Sequence, residues 1–264
     1  MKKLLSTMLA ALLMVSMFAG CTNKNATDWE YIENKKELVV GITLYEPMNY
    51  YDENGKLIGF DTEFAEAVSE IVGVPVKFQE IEWDQKEVEL KSKAIDCIWN
   101  GLTVTEERKE NMAFSKSYVV NEQVVVINKA NAENYKSLED MDGIKVCAES
   151  GSAGESAIEA DAHLSTGTYL GVSAQKDALL EVKAGTCDAA VLDLTLAKAV
   201  INDDTDYSDL MILEGASLQS EEYAIGFRLE DTETVAKVNA AIDQLVANGK
   251  LAELGEKYGV DVIK

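Results

Sequence analysis

Arg108 and Arg228 are the only arginines in a chain of 264 residues that carries 47 aspartates and glutamates. Arg108 lies in NGLTVTEERKENMAFS (residues 100–115), where an apolar run, AIDCIWNG, enters a turn. A guanidinium presents five donors in a planar fork that matches a carboxylate bidentately. Thr103 adds a hydroxyl and a backbone N–H nearby. The plainer alternative is that Arg108 pairs with Glu106, Glu107 or Glu110 on a solvated helix. A second stretch, AESGSAGESAI (148–158), reads as a strand, a Gly-Ser-Ala-Gly turn and a helix opening. Helix N-termini carry free N–H groups and partial positive charge, which suit an anion. Without a Gly-Lys-Ser/Thr ending it is not a P-loop, and alone it is a common strand-to-helix turn. A third stretch, DAAVLDL (188–194), ends an apolar strand in Asp193. That carboxylate can hold an ammonium or cap the following helix.

These stretches need elements to position them. Strand candidates are 37–43, 74–81, 94–101, 123–128, 144–150, 188–193 and 223–228. Between them Phe60, Phe64, Ala67, Val68 and Ile71 recur on one helical face, as do Ala178, Leu179 and Val182. Val235, Val238, Ile242 and Leu245 repeat the pattern before a stop at Asn248-Gly249. The alternation predicts an α/β protein with largely parallel sheets. Composition shifts near residue 120 and again near 220 predict two lobes with a ligand cleft between their strand ends.

The N-terminus reads as a leader. Lys2 and Lys3 precede an apolar run of 15 residues, Leu4 to Phe18, shorter than the ~20 that span a bilayer. Removing residues 1–20 takes the net charge from −23 to −25, which repels phosphate backbones and excludes nucleic acid as a partner. Residues 22–28 (TNKNATD) read as a polar tether. Cys97, Cys147 and Cys187 lie in apolar runs and read as buried thiols, with a Cys147–Cys187 disulfide as the alternative. His163, the single histidine, lies in a polar stretch and supports neither a metal site nor a catalytic group. No metal or cofactor is expected.

From about Glu37 onward the chain resembles the polar-amino-acid-binding proteins of bacterial ABC importers, solute-binding family 3. ELVVGITLYEPMNYYDENGKLIGFDTEF is similar to that family's opening strand, aromatic loop and Gly-Phe-Asp helix start. AIDCIWNGLTVTEERKENMAFSKSY is similar to its Gly-x-Thr-x-Thr-x-x-Arg stretch. SLEDMDGIKVCAESGSAGE resembles its anion turn, and AGTCDAAVLD its strand ending in an amine-binding Asp. EEYAIGFR and NGKLAELGEKYGV resemble its returning strand and last helix. SMFAGC, ending at Cys21, resembles a bacterial lipobox, with Phe18 where Leu is usual.

The resemblance implies a type II periplasmic-binding-protein-like fold: two Rossmann-like lobes joined by two crossing segments, with the ligand between them. Residues 1–20 would be a signal peptide, and 21–36 the lipidated Cys21 with its tether. One lobe would comprise 37–119 with 221–264, and the other 120–220 with the hinge segments. Arg108, Thr103, Ser152 and Ala153 would hold a ligand α-carboxylate, while Asp193 and the Gly101 carbonyl would hold its α-ammonium. Tyr45, Trp83, Trp99, Asn100, Glu149 and Thr43 would line the side-chain pocket. Thr43 replaces an Asp common in relatives, Trp99-Asn100 replaces small residues, and Glu149 stands where some relatives have Lys or Gln. The implied protein is a monomeric, lipid-anchored receptor on the extracytoplasmic face of the cell membrane. It would deliver a free amino acid to the permease subunits of an ABC importer and would not be an enzyme. The alternatives are a cyclohexadienyl-dehydratase-like enzyme using Glu149 or Glu46 as general acid, and a ligand-sensing module.

Overall fold

The computed structural model describes residues 27–263. The leader and Cys21 lie outside them. None of the described helices is long and apolar enough to cross a membrane.

Two five-stranded sheets form the frame. In the first, Leu38–Ile42 runs parallel to Val76–Glu80 on one side and to Cys97–Ile98 on the other. Gly226–Phe227 then pairs antiparallel with both Cys97–Ile98 and Ala113–Phe114. In the second, Lys145–Glu149 lies parallel to Thr168–Val172 and to Ala189–Asp193. Ala189–Asp193 pairs antiparallel with Val119–Asn128, which pairs antiparallel with Leu210–Tyr223. Both sheets are therefore mixed, not largely parallel as the strand–helix alternation suggested. In the second sheet the antiparallel strands are the segments that cross between sheets, and in the first they adjoin those segments in the chain. Val119–Asn128 and Leu210–Tyr223 lie side by side, and their ends bridge to Val262 and Thr103, beside the first sheet. This is the two-lobed arrangement.

Burial explains which elements the sequence announced. Leu38–Ile42 and Ala189–Asp193 are buried at every position and read as continuous apolar runs. Thr168–Val172 is an edge strand with mostly exposed residues, and its sequence shows no apolar run. The helix Phe60–Val72 starts at Gly59, with φ 130°, and stops at Gly73 in the left-handed region. A Cβ at Gly59 would sit 2.2 Å from the Met48 carbonyl oxygen, so only glycine fits this turn. Along that helix Phe60, Phe64, Ala65 and Val68 are buried, whereas Ile71 is exposed. Thr232–Ala247 buries Val238, Ile242 and Leu245 and ends at Asn248 followed by left-handed Gly249.

The expected tether is shorter than residues 21–36, because Asp28–Lys35 is a helix. Thr27 and Glu30 form a reciprocal capping box, with Thr27 N–H donating to Glu30 and Glu30 N–H to Thr27. Trp29 and Ile32 are buried against the core, worth about 1.5–3 kcal/mol each. Asp28 accepts from the Thr234 N–H at 2.7 Å, so the first helix caps the start of Thr232–Ala247. The signal was in the sequence as Thr-Asp-Trp-Glu, a capping box before an apolar residue.

Arg228 is structural. It donates to the Leu90 and Ile95 carbonyls and ion-pairs with Asp231 at 2.8 Å. Cys97, Cys147 and Cys187 are free and buried. Cys147 donates weakly to the Ala178 and Ala189 carbonyls, and burial raises its pKa.

Candidate functional site

Arg108 sits in the short helix Glu106–Asn111, with Thr105 as its N-cap. Its side chain turns away from the neighbouring acids and into a cleft between the two sheets, where it is 8 % exposed. Glu106 pairs with Lys109 instead. The guanidinium donates to the Thr103 carbonyl at 2.9 Å and to the Gly151 carbonyl at 3.2 Å. The second contact crosses from one half of the molecule to the other. Lys86 makes a parallel crossing, donating to the same Gly151 carbonyl at 2.9 Å and to the Trp83 carbonyl at 3.2 Å. A third crossing, Lys176 to Glu46 at 3.0 Å, lies at the rim.

Across the cleft, Ser152 caps the helix Ala153–Ala160, its hydroxyl accepting the Glu155 N–H. Ser152 and Ala153 both line the cleft together with Arg108, so the start of this helix, where N–H groups lack helix carbonyls, borders the cleft.

Asp193 ends Ala189–Asp193 and precedes the helix Leu194–Val200, but its side chain makes no capping bond there. Its carboxylate is gripped by amides: Asn121 at 2.8 Å, Gln123 at 2.6 Å, and Gln175, whose own carbonyl oxygen accepts the Asp193 N–H. Glu221 shares two of those donors, Asn121 and Gln123, and also accepts from the Thr103 hydroxyl at 3.1 Å. Burial and the nearby Asp193 charge push the Glu221 carboxyl up. Among the described residues no ion pair joins Arg108 to Asp193, so the cleft keeps opposite charges apart.

Gly101 takes a left-handed backbone, φ 58°, and donates its N–H to Asp61 at 2.7 Å. A Cβ there would meet the Tyr45 ring at 2.5 Å. Asp61 is fully buried at the start of Phe60–Val72, and burial pushes its carboxyl up to about 7. Tyr45 lines the cleft and shares a 2.7 Å hydrogen bond with Tyr223. Trp83, Thr43 and Glu149 line it too. Thr43 is tied to Asn100, which also bonds Asn49, so Asn100 stitches the loop after the first strand to the strand end at Ile98. Glu149 is 4 % exposed. Burial, with Asp193 nearby, pushes its carboxyl up to about 8.

Trp99, expected in the pocket wall, is not there. It is fully buried and meets Phe64 edge-on at 5.3 Å, within an aromatic cluster that includes Phe60 and Tyr118. Successive residues of an extended segment face opposite ways. Asn100 therefore faces the cleft and Trp99 the core. The other pocket residues anticipated from the sequence, together with Arg108, Thr103, Gly101, Ser152, Ala153 and Asp193, converge on this one cleft. Sequence reasoning missed Gln175, Glu221 and Lys86. Gln175 and Lys86 open helices and Glu221 lies in the strand Leu210–Tyr223, all in polar stretches where nothing in composition separates a buried side chain from a solvated one.

Comparison with known proteins identifies the family and the fold. The profile of bacterial extracellular solute-binding proteins, family 3, covers residues 38–261. The probable amino-acid-binding protein YxeM of Bacillus subtilis is 33% identical over 98% of this chain and 95% of its own length. The L-cystine-binding protein TcyJ of Escherichia coli is 27% identical over 97% of this chain and 96% of its own. The crystal structure of a P235GK mutant of ArgBP from T. maritima superimposes with a TM-score of 0.81 at 33% identity, covering 88% of this chain and 99% of that one. The chain belongs to the bacterial extracellular solute-binding proteins, family 3.

Proposed function

We propose that this chain is the extracytoplasmic receptor of an ABC importer and that it binds a free amino acid between its two sheets. A free amino acid is a dipolar ion, and withdrawing it from water costs several kcal/mol per charge unless each end is paired. Arg108, the Thr103 N–H and the helix opening at Ser152 and Ala153 would take the α-carboxylate. Asp193 and the Gly101 carbonyl would take the α-ammonium. Tyr45, Trp83, Thr43 and Glu149 would surround the side chain. The observation that carries this reading is the placement of Arg108 and Asp193. Both are buried in one cleft, they come from different halves of the molecule, and they are not paired with each other. A ligand touching both halves stabilises the closed form, which a permease can distinguish from the open one.

Lobe boundaries near residues 120 and 220 fit the two sheets. In this reading residues 1–20 are cleaved, Cys21 carries the lipid, and the tether ends where Asp28–Lys35 docks. The receptor is then a monomer held to the membrane through its lipid alone. Replacing Cys21 by Ser would release it from the membrane fraction.

Calorimetry of the refolded, ligand-stripped full-length protein against the twenty standard amino acids, ornithine and cystine tests the receptor reading. Micromolar or tighter binding to one or two of them supports it, and no binding by folded protein sinks it. Glu149 favours a second reading, because a buried carboxyl pushed up to about 8 carries a proton at neutral pH and could act as a general acid. Turnover of prephenate or arogenate would establish that reading instead.

A further inference from the structure

The cleft region holds three carboxylates, Glu149, Asp193 and Glu221, against two cations, Arg108 and Lys86. Two of the carboxylates already hold protein donors, although the second oxygen of Glu221 is buried without one. Asp193 and Glu221 each take several side-chain donors. Glu149 differs. Among the described residues no donor hydrogen-bonds its carboxylate, although the residue is 4 % exposed and lines the cleft.

The charges that face Glu149 are Lys86 and Arg108, which attract it, and Asp193 and Asp177, which repel it. Neither cation pairs with it: among the described residues no ion pair or hydrogen bond joins Lys86 or Arg108 to the Glu149 carboxylate. Lys86 is held by the Trp83 and Gly151 carbonyls, and its ammonium lies 4.8 Å from the centre of the Trp83 ring. Arg108 is held by the Thr103 and Gly151 carbonyls and, in the receptor reading, by the ligand carboxylate. A zwitterion with a neutral side chain adds one charge of each sign and leaves Glu149 without a partner. Burying an unpaired carboxylate is strongly unfavourable, so with such a ligand Glu149 stays protonated, whereas a ligand cation can pair with its charged form.

Resting on the receptor reading, we infer that the ligand is an amino acid with a cationic side chain, its guanidinium or ammonium docked on Glu149 and its stem along Trp83. The indole supplies an apolar surface for the stem and an attractive face for the charge.

The pH dependence has a definite sign. With Glu149 pushed up to about 8 by burial and the Asp193 charge, a ligand cation must displace its proton. Affinity for the cation then rises with pH from 6 toward 8, by up to about tenfold per unit, and binding at pH 7 releases a proton. Asp61 at about 7 and Lys86 at about 8 titrate in the same window, and Glu221 is also shifted upward. The Glu149→Gln variant isolates the contribution of Glu149.

The test is calorimetry of the full-length protein with two matched pairs. L-arginine is compared with L-citrulline, which replaces the guanidinium by a neutral ureido group, and L-lysine with L-norleucine. In at least one pair the cation should bind about 100-fold more tightly, the loss expected when a buried charge pair is broken. Glu149→Gln should reduce that ratio below about tenfold. Wild type should release a proton on binding the cation, seen as different heats in phosphate and Tris buffers. This measurement needs no variant and stands if Glu149→Gln fails to fold. Tight binding without preference for the cation in either pair, or cation binding without proton release, overturns the inference and leaves the receptor reading intact. If no amino acid binds at all, the receptor reading itself falls.

Discussion

Raising the pH from 5 to 8 should destabilise the ligand-free protein, and Asp61 should account for a measurable share. Asp61 is fully buried, holds the Gly101 N–H at 2.7 Å, and is pushed by burial up to about 7. In the unfolded chain an aspartate titrates near 3.9. Between those values the folded state keeps a proton that the unfolded state has lost, so stability falls as pH rises. The contribution is complete below about 3.9 and gone above about 7. Between pH 5 and 8 this one group is worth about 2–3 kcal/mol, or roughly 5–10 °C in Tm for a chain of this length. Glu149, at about 8, acts in the same direction. Thermal melts at pH 5, 6, 7 and 8 would compare wild type with Asp61→Asn. Asparagine keeps an acceptor for Gly101 but has no proton to lose. The stability of Asp61→Asn relative to wild type should therefore improve by about 2–3 kcal/mol across the range. A variant with the full wild-type slope, or a wild-type Tm that climbs toward pH 8, would mean that Asp61 is ionised throughout and the argument is wrong.

Arg108→Ala should weaken binding of the amino acid that calorimetry identifies by about 3–5 kcal/mol, because it strands a carboxylate in the closed cleft. Arg108→Lys should lose less, since charge stays and only the fork goes; equal Kd values for wild type and Arg108→Ala would refute the clamp. Gly59→Ala should cost at least about 3 kcal/mol in denaturant melts, the strain of a disallowed backbone added to a clash with the Met48 carbonyl. Trp29→Ala should cost about 3–5 kcal/mol if the first helix is part of the fold, and an unchanged melt would return it to the tether. Thiol reagents should label Cys97, Cys147 and Cys187 only after unfolding, because all three are buried and their thiols are shifted upward. Rapid labelling of native protein would contradict that.

What the sequence disclosed follows burial. Leu38–Ile42 and Ala189–Asp193 announce themselves because nothing in them faces water. Arg108 stood out as one of two arginines and Asp193 as the end of an apolar run, but their ligand roles were implied by the family resemblance and not by the residues alone. Thr168–Val172 was not legible, because an edge strand needs no apolar pattern to pair. Trp99 was misplaced by one residue of alternation, since AIDCIWNG does not say which face meets the cleft. Gln175 and Glu221 stayed hidden for a different reason. Their roles come from chain segments that meet only in three dimensions: Gln175 lies 18 positions from Asp193, and Glu221 lies 118 positions from Thr103.

The Gly151 carbonyl, shared by Lys86 and Arg108, bears on how any affinity should be interpreted. These two hydrogen bonds between the halves use protein atoms alone, so part of the free energy of closure belongs to the protein rather than to its ligand. A measured Kd is then the product of an intrinsic grip and the fraction of molecules already shut. Substitutions at Lys86 would move the second factor, and the first through its charge near Glu149 and its contact with Trp83. Two receptors with the same pocket could differ in Kd through this strap alone. The permease, for its part, would meet shut but empty molecules at a frequency set by Gly151 rather than by the supply of ligand.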